Sequence, residues 1–473
     1  MQIPILNGIY SDEAPDFRTS YPKNLIPVPK VNGISDGYLR PADGLVELAE
    51  GTAVDRGGIN WDGTLYRVLG SKLVSISSAG VIAEIGEVGG TTELVTMKYS
   101  FDRLAVASNN NLFYYNTSIG FIQVTDPDLG DVVDLEWVDG YFMTTDSEYI
   151  VITELADPTS VDPLKYGSSE AAPDPIVALL KLRNEIYALN RYSIEVFDNV
   201  GGTGFPFQRI DGAQIDRGVL GTHACCVFME TIAFMGGGRD EAPAIWLGNN
   251  ATAIKISSRE IDQILAEYTE EELAICKLET RIDKSHNFLL IHFQDQTLVY
   301  DANASQIMQT QVWHSLSSVL LGTESIGDSR YRAKNLVWVY DKWVFGDPTS
   351  FKIGYYTDTI STHFGDDIDW EFGTTVIYNE GNGAIIHELE LVCLSGRVAL
   401  GADPTIWAQY SLDGSTWSNP RPISAGKQGE RNKRLVWLQQ GTMRNWRIQK
   451  FRGTSDGHTA VIRLEAKIEP LYA

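Results

Sequence analysis

The sequence predicts an all-β protein: a β-propeller of about six or seven blades, with an extended N-terminal arm before it, short helical insertions within it and a C-terminal β-sandwich after it. Three observations point there. Glycine is abundant (43 residues) and aromatics reach 10%, and short apolar runs are broken by turn residues. A strand–turn–strand unit recurs from about residue 60. After about residue 375 that repeat stops, and strands of a different spacing follow.

Residues 1–55 read as the arm. "SYPKNLIPVPKVNG" holds Pro22, Pro27 and Pro29. Proline fixes φ and removes a donor, so this stretch is expected to stay out of any sheet and to lie over another surface.

Residues 56–375 read as the propeller. The units are "TLYRVLGSKLVSIS" (64–77), "RLAVASNNNLFYYN" (103–116), "YFMTTDSEYIVIT" (141–153), "EIYALNRYSIEVFD" (185–198), "TIAFMGGGRDEAPAIWLG" (231–248), "NFLLIHFQDQTLVYD" (287–301) and "NLVWVYDKWVFGD" (335–347). One twisted hairpin sheet cannot bury its own face, whereas a ring of them can, and a ring leaves few open edges. Val196, Leu298 and Trp338 are expected to face the core. One helical stretch interrupts the units. In "SSREIDQILAEYTEEELAIC" (257–276), Ile261, Ile264 and Leu265 make an apolar stripe, and Thr269 with Glu272 forms a capping box.

Residues 376–473 read as the sandwich, with "IIHELELVCL", "TIWAQYSL", "RLVWLQ", "NWRIQKF" and "AVIRLEAKI" as strands. Between two of them lies "YSLDGSTWSNP" (410–420), which looks like the Asp-box of sialidase-type propellers. That opens an alternative function, a carbohydrate-binding or glycoside-cleaving propeller. The box occurs once, outside the repeats, and neither a blade-start Arg-Ile-Pro nor a regular series of boxes accompanies it. Asp413-Gly414 is therefore expected to be a type I′ hairpin turn, with φ positive at both residues.

No other motif carries chemistry. His286 and His292 have no third ligand at metal spacing and read as a turn histidine and a core or interface histidine. "DPDLGD" and "DANAS" lack a calcium loop, and "GGGRDE" is no phosphate cradle. The four cysteines, Cys225, Cys226, Cys276 and Cys393, read as mostly buried thiols. No catalytic residue, metal or cofactor is expected. The net charge of −24 disfavours stable binding to nucleic acid. The N-terminus has no signal-peptide pattern and no stretch reaches a membrane span, so a soluble chain made in a cytoplasm is expected. Against the acidic total, residues 427–452 are basic, and Arg434, Trp437, Arg444, Trp446 and Arg447 form a candidate interface with an acidic neighbour.

The stretch 261–305 resembles the tail accessory protein of short-tailed bacteriophages, also called the packaged-DNA stabilisation protein or tail nozzle. The matching residues are Tyr268, Thr269, Glu271, Glu272, Ala274, Glu279, Thr280, Arg281, Asp283, His286, Leu290, Ile291, His292 and "LVYDA" (298–302). "SDGYLRPADGLVE", "DRGG" and "LYRVLGSKL" (35–73) match as well. The resemblance implies a structural virion protein and no enzyme. It implies a homohexamer below the portal and adaptor rings that closes the head after packaging. Its partners would be an adaptor ring protein, a tailspike or tail fibre, and a tail needle or plug. Double-stranded DNA would pass through its channel without stable binding. The chain would be made in the host bacterial cytoplasm and reside in the phage tail.

Overall fold

In the computed structural model, residues 2–6, 9–11, 18–30, 36–319, 330–379 and 381–471 are described, the side chains of 9–11 and 18–20 excepted. Seven antiparallel sheets of four or five strands follow one another along the chain as blades. Their innermost strands begin with Asp55–Trp61, Thr96–Tyr99, Asp134–Val138 and Ile176–Leu182, and continue with Cys225–Phe228, Lys277–Asp283 and Lys334–Val339. These strands touch in that order around an axis, and the last touches the first. The second strand of a blade is often apolar on both faces, as in Leu104–Ser108, because blades stack face to face.

Each interface between blades holds its own core. Trp61, Val106 and Phe113 pack between the first and second blades. Leu112, Leu135 and Phe142 pack between the second and third, and Met143, Ile152 and Ile186 between the third and fourth. One large cluster joins the fourth to the sixth. Phe288, Leu290 and Phe345 lie between the sixth and seventh, and Leu65, Val74, Val344 and Ile353 between the seventh and first. Val196 and Leu298 are buried, as expected, within the large cluster. Trp338 is 51% exposed, which corrects its assignment to the core. In Lys334–Val339 the side chains alternate, and Asn335, Val337 and Val339 take the buried positions. Leu298→Ala is expected to cost about 2–5 kcal/mol through the cavity it leaves. A denaturation midpoint that falls at constant slope would check it.

The seventh blade takes its outer strand from the N-terminal stretch. Gly44–Glu50 pairs with Lys352–Thr357, with Thr357 opposite Gly44 and Lys352 opposite Glu50. The ring is thus closed by hydrogen bonds between residues about 300 apart in sequence. Residues upstream enter the second domain. Leu25–Pro29 pairs with Gly37–Pro41, which meets Val461–Pro470, and Gln2–Ile3 pairs with the same C-terminal strand. The stretch is extended, but proline does not bar it from a sheet. Leu25–Pro29 is an edge strand. Lys30 N–H donates to Asp36 O. With a period of two, the nitrogens of Pro27 and Pro29 therefore face away from the partner strand, where no donor is needed.

The rest of that sheet is Ala384–Cys393 and Leu435–Met443. A second sheet, Asp369–Gly373, Trp446–Thr454, Thr405–Ser411 and Arg421–Ser424, covers it. Phe372, Leu389, Trp437 and Phe451 fill the space between, together with Ile3, Leu25 and Leu39 from the N-terminal stretch.

Three short α-helices are described, all in connections between strands. Arg259–Leu265 is capped by Ser258, and Glu270–Ala274 starts on the expected Thr269–Glu272 capping box. The third, Ala302–Met308, begins at "DANAS", where the Asp301 carboxylate accepts Ala304 N–H at 3.1 Å. That aspartate is a helix cap.

Candidate interface site

The five residues singled out in the sandwich do not share a surface. Arg434 is exposed, but its guanidinium binds Glu390 in a fork, at 2.7 and 2.6 Å. Arg444 is exposed and Trp446 half-buried, beside exposed Tyr378, which pairs with Trp446 across strands. Trp437 is buried. Its indole N–H donates to Arg421 O at 2.9 Å and its ring packs 5.4 Å from that of Phe451. Arg447 is 1% exposed and donates to Gln440 O at 2.6 Å and Gln449 Oε1 at 2.9 Å, over the ring of Tyr410. Burial pulls its pKa down to about 10. Trp437 and Arg447 are therefore corrected to core residues. Strand alternation puts Leu435, Trp437 and Met443 on the inner face. Arg447 lies where Trp446–Thr454 is flanked by strands on both sides.

The Asp-box turn also departs from expectation. Gly414 has φ 83°, but Asp413 is not among the described residues with positive φ. The turn is built by the side chain instead. The Asp413 carboxylate accepts Ser415 N–H at 3.0 Å, Thr416 N–H at 2.7 Å and the Ser411 hydroxyl at 2.8 Å. The Thr416 N–H is the main reason its pKa is held well below the carboxylate range. A carboxylate committed to three donors is a turn cap.

Sequence patterns missed a set of carboxylates on or beside the innermost strands. Asp134 of the third blade accepts Thr96 Oγ1 of the second at 2.7 Å and Leu179 N–H of the fourth at 2.8 Å. Glu136 accepts Lys98 Nζ from the second blade at 2.5 Å and Lys181 N–H from the fourth at 3.2 Å. Glu279 of the sixth accepts Asn335 N–H at 2.8 Å and Leu336 N–H at 2.6 Å from the seventh. Asp55 of the first binds Asn335 Nδ2 of the seventh at 2.7 Å and Arg67 Nη1 at 2.7 Å. Each spans a blade interface and satisfies donors that the ring would otherwise bury unpaired. The only signal in sequence is an acid near the start of a strand run, which solvent-exposed strands share. Two histidines of the sixth blade singled out in the sequence are occupied too. His286 is buried against Asp301 at 2.5 Å, which corrects its reading as a turn residue, and His292 lies 3.2 Å from Glu279.

Burial dominates Asp134 and pushes its pKa up to about 6. A raised carboxyl pKa favours the folded state fully below the unfolded value near 4, and the effect is lost as pH rises through about 6. Asp134→Asn removes that dependence. The stability difference between wild type and variant, measured by denaturant titration from pH 4 to 8, is expected to change by about 3 kcal/mol, in the variant's favour at high pH. A flat difference would contradict the assignment. At Glu279 burial also acts upward, but the Lys277 charge, His292 and Leu336 N–H overcome it and hold the carboxyl well below its usual range.

Charge is divided unevenly along the chain. Residues 376–473 hold 12 basic and 9 acidic residues, a net of +3, so residues 1–375 carry −27 of the total of −24.

Comparison with known proteins gives a correspondence along most of the chain. Residues 1–361 match the family described as bacteriophage P22 Gp10, beta-propeller, and residues 369–469 match bacteriophage P22 Gp10, beta-sandwich. The tail hub protein gp10 of Salmonella phage P22 is 26% identical over 469 residues, covering 94% of each chain. Among solved structures, the N-terminal domain of Nup159 covers 71% of this chain and 98% of its own, at 10% identity and a TM-score of 0.42. The Neurospora crassa Pan2 WD40 domain covers 67% and 96%, at 8% and 0.42. With its propeller and its sandwich matched in the same order along the chain, the protein belongs to the bacteriophage P22 Gp10 family.

Proposed function

We propose that this chain is the tail hub, or nozzle, of a short-tailed bacteriophage. The observation that carries the reading is the match of both domains, in order, to one family whose curated member is a tail hub protein. In this reading six copies form a ring below the portal and an adaptor ring, close the head after packaging and leave a channel for DNA ejection. A tailspike or fibre and a needle or plug attach to the assembly. The protein acts by structure and carries no catalysis. The candidate carboxylates support this, because Asp55, Asp134, Glu136, Glu279 and Asp413 are all consumed by hydrogen bonds within the fold.

Acidity suits a channel for DNA. Six copies carry 6 × −24, or −144. Carboxylates that face the lumen repel the phosphates and keep the duplex from adhering. The inter-blade carboxylates are spoken for, so this role falls to exposed acids. A phage with an early stop codon in this gene is expected to give filled heads that lack the lower tail and leak DNA. Supplying the chain in trans restores them. Complete, infectious particles without the chain would refute the reading.

A further inference from the structure

Among the described residues, one sector of the propeller carries exposed apolar side chains. Antiparallel strands alternate direction, so within each blade the first-to-second and third-to-fourth turns leave from the same face. In the first five blades those turns carry Phe101, 95% exposed, and Leu164, 86% exposed; Val81, Ile119, Val200 and Met229 are exposed there as well. On the opposite face the exposed large apolar side chains described for these blades reduce to Tyr149, with Ile275 in the helical connection that follows. An asymmetry of this kind marks a contact surface.

At the sixth and seventh blades the same face already receives the chain's own sandwich. Arg40 reaches Asp283 at 2.6 Å, Ser361 Oγ lies 2.8 Å from His458 Nδ1, and Asn24, which leads into the sandwich strand Leu25–Pro29, donates its N–H to Ser315 O of the sixth blade at 2.9 Å. The sector with exposed apolar side chains continues that interface around the ring of blades.

We infer that the face over blades one to five seats the sandwich of a second copy, so that copies join head to tail. This rests on the ring assembly proposed above and names its contact surfaces. Continuity supports it, since the neighbouring sector of the same face takes a sandwich. Charge supports it too: Asp62, Asp139, Asp157 and Glu230 are exposed on these turns, while residues 376–473, the larger part of the sandwich, are net +3. Strand Trp446–Thr454 starts at the end of the sandwich opposite to where the chain enters at Asp369, and there Arg444 and Tyr378 are exposed. The two surfaces differ, so the contact is heterologous and closes into a ring when its rotation allows. Opposite charges set the register of the encounter.

The test uses whole phage particles in which Phe101 or Leu164 is replaced by the photocrosslinker p-benzoylphenylalanine, with Ile275 on the opposite face as control. After irradiation, Phe101 and Leu164 positions are expected to give a covalent dimer of this chain whose crosslinked peptide maps within residues 376–473, and the Ile275 position none. Crosslinks to a different virion protein, to a propeller of another copy, or no crosslink at all would each overturn the assignment. Immunoblotting of the same particles separates this from the tail reading: particles that lack the chain altogether refute that reading itself.

Discussion

A chain that lacks residues 1–50 is expected to lose the folding of both domains. The deletion removes Gly44–Glu50, the outer strand of the seventh blade, and leaves the edge of Lys352–Thr357 unpaired. It also takes Leu45, fully buried between the sixth and seventh blades, and Leu25 and Leu39 from the sandwich core. Each of those leucines is worth about 2–5 kcal/mol. Their sum matches the whole stability of an ordinary domain, about 5–15 kcal/mol. Circular dichroism should show no cooperative melting, and size exclusion should show an expanded or aggregated chain. A deletion variant that melts cooperatively near the wild-type temperature would refute the closing role of this strand.

Asp55→Ala is expected to destabilise the propeller by about 3–5 kcal/mol, because it strands a buried cation. Arg67 is fully buried, and Asp55 is its only carboxylate within 4 Å among the described residues, at 2.7 Å. Its other bonds go to the carbonyls of Asn335 and Val344, at 2.7 and 3.3 Å. Losing Asp55 also frees Asn335 Nδ2 from its partner across the closure between the seventh and first blades. Burial pushes the Asp55 pKa up in spite of Arg67, so the pair is costly as well as adhesive. Removing both charges should therefore recover much of the loss. The double variant Asp55→Ala with Arg67→Met is expected to be more stable than Asp55→Ala alone. Denaturant titrations of the three variants check this, and a double variant no better than the single would show that the charge is not what matters.

The carboxylates on the innermost strands give the two halves of the charge argument different meanings. Acids such as Glu136 and Glu279 are hydrogen-bonded to the next blade and work as fasteners. Acids such as Asp62 and Asp157 stand in solvent, outside those fastenings. A net charge read from composition cannot separate the two groups, since both are written with the same letters.

Sequence by itself determined what depends on neighbours along the chain. Seven strand–turn–strand units, the capping box at Thr269 and Glu272, and the change of pattern near residue 375 all follow from periodicities of two and 3.6 and from side-chain caps within three residues. Tertiary structure alone decided which residues supply the outer strand of the seventh blade, because hydrogen bonds between Gly44–Glu50 and Lys352–Thr357 depend on the ring's geometry and not on local pattern. It decided that a proline-rich strand fits a sheet, since only an edge leaves two proline nitrogens facing away from a partner. It also decided that Trp437 and Arg447 are core while Trp338 and Phe101 meet water. Alternation assigns residues to two faces of a strand, and only the packing of other strands determines which face is covered.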